Sequence, residues 1–196
     1  MPTQAEKAQT FRELHEGEPF VIPNPWDAGS ARMLAALGFE ALATTSSGFA
    51  FTLGRLDGEA TLDEVAAHVA ALTEATELPV SVDVENGYGA EPEAAARAIE
   101  RLQRFEAAGA DVLYAPGLST TEDISTVCAA VSRPVNVLAW PGLSFSEIAD
   151  AGAARVSIGG RLTWVAVEAA ATTARQLLDG DLSGLGSSPP LEDWFR

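Results

Sequence analysis

Short apolar runs alternate with amphipathic segments along this chain of 196 residues. The apolar runs are nearly continuous, which is typical of parallel strands that are covered on both faces. The segments between them place apolar residues at helical spacing, so the pattern predicts a repeating strand–helix architecture. The six predicted strands are residues 20–23, 41–45, 79–84, 111–115, 134–140 and 155–158.

Local signals mark where the predicted helices begin and end. Capping boxes open two of them, Thr61 with Glu64 and Ser144 with Glu147. Three helices are predicted to stop at a glycine in a left-handed cap about two residues before the next strand. These glycines are Gly38, Gly109 and Gly152. Each strand–helix unit takes roughly 30 residues, so six units fill the chain, whereas an eight-stranded barrel needs about 250 residues.

The charge balance restricts the partners of the protein. The chain has 12 Lys and Arg against 28 Asp and Glu, a formal net charge of −16. Without a basic stripe to neutralise phosphates, we expect no nucleic-acid partner and no anionic membrane surface. No apolar run approaches the roughly 20 residues of a membrane span, and the first residues lack the apolar region of a signal peptide. We therefore expect a cytoplasmic protein.

Few side chains are available for basic or nucleophilic catalysis. Lysine occurs once, at Lys7, and histidine twice, at His15 and His68. All three lie in segments predicted as helix, and both histidines are predicted at helix surfaces. The one cysteine, Cys128, excludes a disulfide within the chain and a multi-cysteine metal site. It lies on the apolar stripe of a helix, which predicts a core residue rather than a nucleophile.

Parallel strand–helix folds bind ligands at the carboxyl ends of their strands, and a hydroxyl-rich segment follows the second strand. Thr44 and Thr45 precede Ser46, Ser47 and Gly48 there. Together they offer hydroxyl and backbone N–H donors to a carboxylate or a phosphate. The alternative is a loop solvated by water, and composition favours neither.

Two acids follow the third strand. Asp83 and Glu85 are two positions apart, so both side chains leave the same face of the strand. A carboxylate within an apolar run is costly unless it is paired, protonated or bound to a metal. The pair favours a hard divalent cation, Mg²⁺ or Mn²⁺, and solvated or arginine-paired loop acids are the alternative.

Three further segments each allow two interpretations. Residues 24–27 are a rigid loop at the mouth of the fold or, the plainer interpretation, a helix entry with Asp27 in the first turn. Residues 157–160 are an anion-binding nest or, again plainer, a tight Gly-Gly turn. Asn136 lies within a buried strand and must be satisfied, so it is a structural hydrogen-bonding residue or a ligand contact.

Three motifs in this order carry a resemblance to a known family. They are Pro-Asn-Pro-Trp-Asp at 23–27, Thr-Thr-Ser-Ser-Gly at 44–48 and Asp-Val-Glu-Asn-Gly-Tyr-Gly at 83–89. Together they resemble the isocitrate lyase/phosphoenolpyruvate mutase superfamily. Later stretches at 106–117, 134–139 and 155–159 resemble it too, so the similarity runs over nearly the whole chain.

The resemblance implies an α/β fold, a parallel (βα) barrel of the TIM type, here truncated to about six strands. Members of the superfamily use Mg²⁺ to bind a small 2-oxo or 2-hydroxy carboxylate. They stabilise an enolate while a C–C or P–C bond breaks or forms. By the matching motif, Asp83 and Glu85 correspond to metal-site acids, and Asp57 resembles the acid that closes the site.

The same resemblance implies the substrate contacts. The residues that would hold and orient the substrate carboxylate are Ser46, Ser47, Gly48 and Asn136. No residue is an evident general acid or base, and the candidates are Tyr88 and Tyr114.

The chain departs from the superfamily in its middle. Roughly two strand–helix units, including a gating loop with the catalytic lysine, are absent next to the segment 94–104. The join lies inside one predicted helix, and Lys7 cannot replace the gate lysine. The strands beside the join either pair directly or leave an open edge. We expect one barrel-like domain over 1–180 and a tail over 181–196 that docks on the body or on a partner subunit of a homo-oligomer.

Two functions remain open on the sequence. The first is a Mg²⁺-dependent lyase-type enzyme acting on a small 2-oxo or 2-hydroxy acid, which the acids and the hydroxyl segment favour. The second is a catalytically impaired derivative that keeps only the fold and metal or anion binding, which the missing gate and lysine favour.

Overall fold

The computed structural model describes residues 2–82, 96–107, 109–114, 116–186 and 188–195. Within these residues the strands are β1 (Phe20–Ile22), β2 (Leu42–Ala43), β3 (Val80–Ser81), β4 (Leu113–Tyr114), β5 (Val135–Leu138) and β6 (Arg155–Ser157). The helices are α1 (Gln4–Leu14), α2 (Ala28–Ala36), α3 (Ser46–Thr52), α4 (Leu62–Ala75), α5 (Ala96–Ala107), α6 (Thr121–Ala129), α7 (Phe145–Asp150), α8 (Arg161–Leu178) and α9 (Leu191–Trp194). All six predicted strands are confirmed, each shorter than its apolar run.

The helix boundaries follow the local signals in the sequence. Both capping boxes form, Thr61 with Glu64 at α4 and Ser144 with Glu147 at α7. The three helix-stopping glycines adopt positive φ angles, as a left-handed cap requires. They are Gly38 at 95°, Gly109 at 96° and Gly152 at 105°.

The chain forms two compact units, residues 1–23 with 84–158 and residues 24–83 with 159–196. The first contains a parallel sheet in the order β1-β6-β5-β4. Its core lies on one face, where Val137 and Val156 pack with Ile148 of α7. Strand residues alternate between faces, so the positions directly next to these valines lie on the other face. Those positions include Asn136, Arg155 and Ser157.

In the second unit β2 and β3 pair in parallel, with Leu42 opposite Val80. Its core joins α2, β2 and α4 through Ala31, Leu34, Leu42 and Leu72. The chain ends with α9 against α2 of the same unit, where Arg32 Nη1 donates a hydrogen bond to the Phe195 carbonyl at 3.4 Å. The division into one domain over 1–180 and a tail stays a prediction.

None of the helices in the described part of the chain is long and apolar enough to cross a membrane.

Candidate functional site

The hydroxyl-rich segment after β2 is the start of helix α3 rather than a loop. Thr45 caps this helix: its backbone is extended (φ −134°, ψ 117°), and its Oγ1 accepts the N–H of Gly48 at 3.3 Å. Threonine suits this position because its side-chain oxygen satisfies an N–H that has no partner within the helix. Ser46 and Ser47, two of the predicted substrate contacts, are therefore the first two residues of α3, and both are partly exposed.

Gly48 is a packing residue in this structure. A Cβ at Gly48 would lie 2.6 Å from Thr163 Oγ1 and 2.6 Å from Thr45 Cγ2, closer than real Cβ contacts. The same Cβ would lie 3.1 Å from Trp26 Cβ. Because its N–H already donates to Thr45, Gly48 is less available to a substrate than the two serines before it.

Ser47 faces the start of α8. A Cβ built on Gly160 would collide with Ser47 Oγ and would lie 2.9 Å from Trp164 Nε1. Ser47 Oγ also lies 3.3 Å from Thr45 Oγ1. The sequence analysis identified neither Thr163 nor Trp164, although they follow Gly160 by three and four positions and so share its side of the helix.

The segment 24–27 is a helix entry, the plainer of its two interpretations. Asp27 forms a capping box with Ser30 at the start of α2, and its Oδ1 accepts the Ser30 N–H at 2.7 Å. Asn24 is buried, and its Nδ2 donates to the Thr44 carbonyl at 2.9 Å. The Asn24 hydrogen bond ties this segment to the end of β2, from which α3 begins.

His68 is buried, so its predicted surface position is wrong. It is 9% exposed and stacks on Phe49, with ring centroids 4.0 Å apart and 13° between the planes. Burial lowers the pKa of His68, and the Asp27 carboxylate partly opposes this effect. The signal was present in the sequence, because His68 lies three positions after Val65 and four before Leu72 on the buried face of α4.

Asn136 is a structural hydrogen-bonding residue. It is 2% exposed; its Nδ2 donates to Ser157 Oγ at 3.0 Å and its Oδ1 accepts from Arg155 Nε at 2.9 Å. Both ends of the amide are therefore occupied within the first unit. The interpretation of Asn136 as a substrate contact thus has less support than the structural one.

His15 is partly buried, whereas the sequence analysis predicts a position at the helix surface. It is the C-cap of α1, and its Nδ1 lies 2.6 Å from the Phe11 carbonyl, which places the proton on Nδ1. Nε2 is then the acceptor that faces Arg155 Nη1 at 3.4 Å. Burial lowers the pKa of His15, an effect that Arg155 reinforces and the Phe11 carbonyl opposes.

The predicted metal site lies largely outside the described residues, which exclude Asp83, Glu85 and the candidate Tyr88. Asp57 lies in an exposed turn after α3. Among the described residues, no three His, Cys, Asp or Glu side chains come together as a metal site would require. The metal assignment therefore stays a prediction, and so does the role of Tyr114, which lies in β4 beside Asn136.

Cys128 packs with the core, as its apolar stripe predicts. Its Sγ and Cβ lie against the backbone of Gly152, and burial raises the pKa of the thiol. A raised pKa lowers the thiolate fraction at neutral pH, which disfavours a nucleophilic role.

Comparison with known proteins identifies the family. The sequence profile described as phosphoenolpyruvate phosphomutase matches residues 11–97 and 91–178. The chain belongs to this family. A solved structure from Burkholderia cenocepacia, provisionally assigned as a lyase/mutase, is 34% identical with a TM-score of 0.89. The match covers 98% of this chain and 97% of the Burkholderia chain. The predicted parallel α/β fold class is therefore confirmed.

Two relatives from sequence comparison differ in how far they match. An uncharacterized protein of Mycobacterium tuberculosis is 28% identical over 232 residues, covering 88% of this chain and 90% of its own. The 2-methylisocitrate lyase of Halalkalibacterium halodurans is 36% identical over 108 residues, covering 54% of this chain and 36% of its own.

The comparisons also support the predicted internal shortening. The alignment with the mycobacterial protein is longer than this whole chain of 196 residues, so that relative contains segments that this family member lacks. The family profile matches in two pieces that meet at residues 91–97. The sequence analysis places the missing units next to the segment 94–104, which overlaps this meeting point.

Proposed function

We propose that this protein binds a small 2-oxo or 2-hydroxy carboxylate together with Mg²⁺, or Mn²⁺. We propose further that it cleaves or forms a C–C or P–C bond in that substrate through an enolate. The observation that carries the proposal is the start of α3, where Ser46 and Ser47 follow β2 with partly exposed side chains. Family membership supports the reaction class, because relatives of this chain include a lyase of a small carboxylate, 2-methylisocitrate.

The serines would bind the substrate carboxylate. Thr45 Oγ1 accepts the Gly48 N–H, and we propose that its own hydroxyl proton is donated to Ser47 Oγ at 3.3 Å. This arrangement leaves the Ser47 hydroxyl free to donate to a ligand. A rigid donor at the start of a helix contributes to catalysis by fixing the orientation of the substrate.

The donor set proposed for the metal is chemically suitable for Mg²⁺. Asp83 and Glu85, with Asp57, offer carboxylate oxygens, which this cation prefers. A bound Mg²⁺ would polarise the substrate carbonyl and stabilise the negative charge that develops on the enolate oxygen. For the proton transfer, Tyr88 and Tyr114 remain the candidates.

The second candidate function is binding without turnover. Its support is the lysine count, since the sole lysine is Lys7 in α1. The meeting of the two profile matches at 91–97 favours it as well, because the missing units would carry the gating loop. In this case the protein retains the carboxylate site and the metal but lacks a group to complete the reaction.

Calorimetric titration of the purified full chain tests the binding step. Mg²⁺ is titrated first, and then oxalate, a mimic of the enolate, in the presence and absence of Mg²⁺. We expect oxalate to bind only with the metal, and an absence of metal-dependent binding would contradict both candidate functions. Turnover in a screen of 2-oxo and 2-hydroxy acids then separates the enzyme from the binding protein.

Cellular context and assembly are separate parts of the proposal. We propose a cytoplasmic homo-oligomer, on the basis of the composition and the apolar end of the tail. Sedimentation equilibrium measures the assembly directly, and a monomer of 20.4 kDa would contradict it.

A further inference from the structure

Two hydrogen-bond donors meet over the backbone of Gly160. Ser47 Oγ and Trp164 Nε1 both lie within 2.9 Å of the point that a Cβ on Gly160 would occupy. Their separation is therefore at most twice that distance, about 5.8 Å. A side chain at position 160 would collide with both donors, so only glycine lets them lie this close to the backbone.

Both donors are available to a ligand. The Trp164 indole N–H has no hydrogen-bond partner among the described residues, and Trp164 is 44% exposed. Among the described residues, the hydrogen-bonding partner of Ser47 Oγ is Thr45 Oγ1. Thr45 Oγ1 accepts the Gly48 N–H and keeps its own proton for Ser47, and the Ser47 hydroxyl can then donate to a ligand. Indole N–H groups are donors only, so a partner for this pair must supply hydrogen-bond acceptors, such as carboxylate oxygens.

The indole ring is held in a defined orientation. Trp164 packs edge-to-face against Phe51, with centroids 5.7 Å apart and 83° between the ring planes. Its Cε2 also lies 3.4 Å from the same point above Gly160. Edge-to-face packing of this kind fixes an aromatic ring more than burial alone. The indole N–H is therefore positioned before a ligand arrives.

The geometry matches a carboxylate. Hydrogen bonds from N–H and O–H donors to oxygen are about 2.7–3.0 Å long, so donors up to about 5.8 Å apart can share one oxygen or bind the two oxygens of one group. We propose that Trp164 is a further substrate-binding residue, whose indole N–H and the Ser47 hydroxyl together hold the substrate carboxylate over Gly160. This inference rests on the proposed function and adds a residue to its carboxylate site.

The alternative is that Trp164 only packs against Phe51. One substitution distinguishes this packing role from a role in binding the carboxylate. Trp164→Phe keeps a ring against Phe51 and removes only the N–H. A hydrogen bond to a charged group contributes enough to change affinity by about tenfold or more. We therefore expect Trp164→Phe to weaken the calorimetric affinity for oxalate, with Mg²⁺ present, by about tenfold. Trp194→Phe in α9 makes the same chemical change outside the site and should leave the affinity unchanged.

Equal oxalate affinity in the wild-type protein and Trp164→Phe would overturn the inference while leaving the proposed function intact. Oxalate binding that depends on Trp164, without turnover of any acid, would support the inference and contradict only the lyase reaction. A wild-type protein that does not bind oxalate would contradict both.

A second measurement, by NMR, uses only the wild-type protein and so does not depend on a variant that folds. In the ¹⁵N-labelled wild-type protein, four tryptophans give indole N–H resonances, and the Trp164 resonance is assigned by its proximity to the Phe51 ring protons. We expect this resonance to shift on addition of oxalate. A spectrum in which the Trp164 indole resonance stays in place while oxalate binds would overturn the inference.

Discussion

Arg155 Nε donates a hydrogen bond to Asn136 Oδ1 at 2.9 Å, between neighbouring strands of the first unit. Arg155 is 6% exposed, and among the described residues no carboxylate pairs with it. Instead, the guanidinium lies 5.5 Å from the centroid of the Phe11 ring and near His15 Nε2. Burial lowers the pKa of Arg155 to about 10, which still leaves it charged at neutral pH. The buried charge of Arg155 is therefore stabilised by neutral groups and not by a carboxylate.

Replacing Asn136 should destabilise the fold. Asn136→Leu removes the acceptor of Arg155 Nε and the donor to Ser157 Oγ, which leaves a buried charge less well satisfied. We expect the free energy of unfolding, measured by urea denaturation, to fall by about 2–3 kcal/mol. Gln9→Leu makes the same change from amide to alkyl on the exposed face of α1. It should change the free energy of unfolding by less than about 0.5 kcal/mol. Equal effects of the two substitutions would contradict the structural role of Asn136.

Stability should decrease as the pH falls below about 6.5. Burial lowers the pKa of both His15 and His68 from the ordinary 6.5. The unfolded chain therefore takes up protons near pH 6.5, whereas the folded chain takes them up only at lower pH. Since the unfolded state then binds more protons, the free energy of unfolding falls as the pH drops from 6.5 toward the lowered values.

Urea denaturation between pH 8 and pH 5 measures this dependence. The lower limit of pH 5 keeps Glu64 out of the measurement. Its hydrogen bonds to Thr61 and Arg55 lower its pKa to about 2, so its contribution to stability is lost only below about pH 4.5. The variants His15→Gln and His68→Gln should each flatten the pH dependence. A double variant with the wild-type slope would contradict this origin.

Gly48 should not tolerate a side chain. Gly48→Ala places a methyl group 2.6 Å from Thr163 Oγ1 and Thr45 Cγ2, and both neighbours are β-branched and have little freedom to move. We expect a loss of about 1–3 kcal/mol in the free energy of unfolding, typical of overpacking. Gly186→Ala is the matched control because nothing lies within 4 Å of its Cβ position. Equal stability of the two variants would show that α3 and α8 separate readily.

Asp83→Ala should abolish Mg²⁺ binding measured by calorimetry. The expectation follows from the chemistry of the paired acids, since removing one of two carboxylates strips a hard cation of a charged ligand. Asp63→Ala removes an exposed carboxylate from the first turn of α4 and should leave the Mg²⁺ affinity unchanged. Unchanged affinity in Asp83→Ala would remove Asp83 from the metal site.

The sequence by itself determined the strands, the helix boundaries and the family. Continuous apolar runs, the capping boxes at Thr61 and Ser144 and the stop at Gly38 act over a few residues, so they can be recognised without the fold. The family motifs can also be recognised locally, because each one is a short run of consecutive residues.

Tertiary structure alone decided what surrounds each candidate residue. Gly48 and Gly160 are needed because α3 and α8 approach closely, and no local pattern encodes that distance. The sequence analysis places His68 at a helix surface, yet its stacking on Phe49 depends on how α3 packs against α4. Trp164 and Ser47 are 117 positions apart in the chain. They meet because helices that follow different strands begin side by side, and only the folded chain sets that relationship.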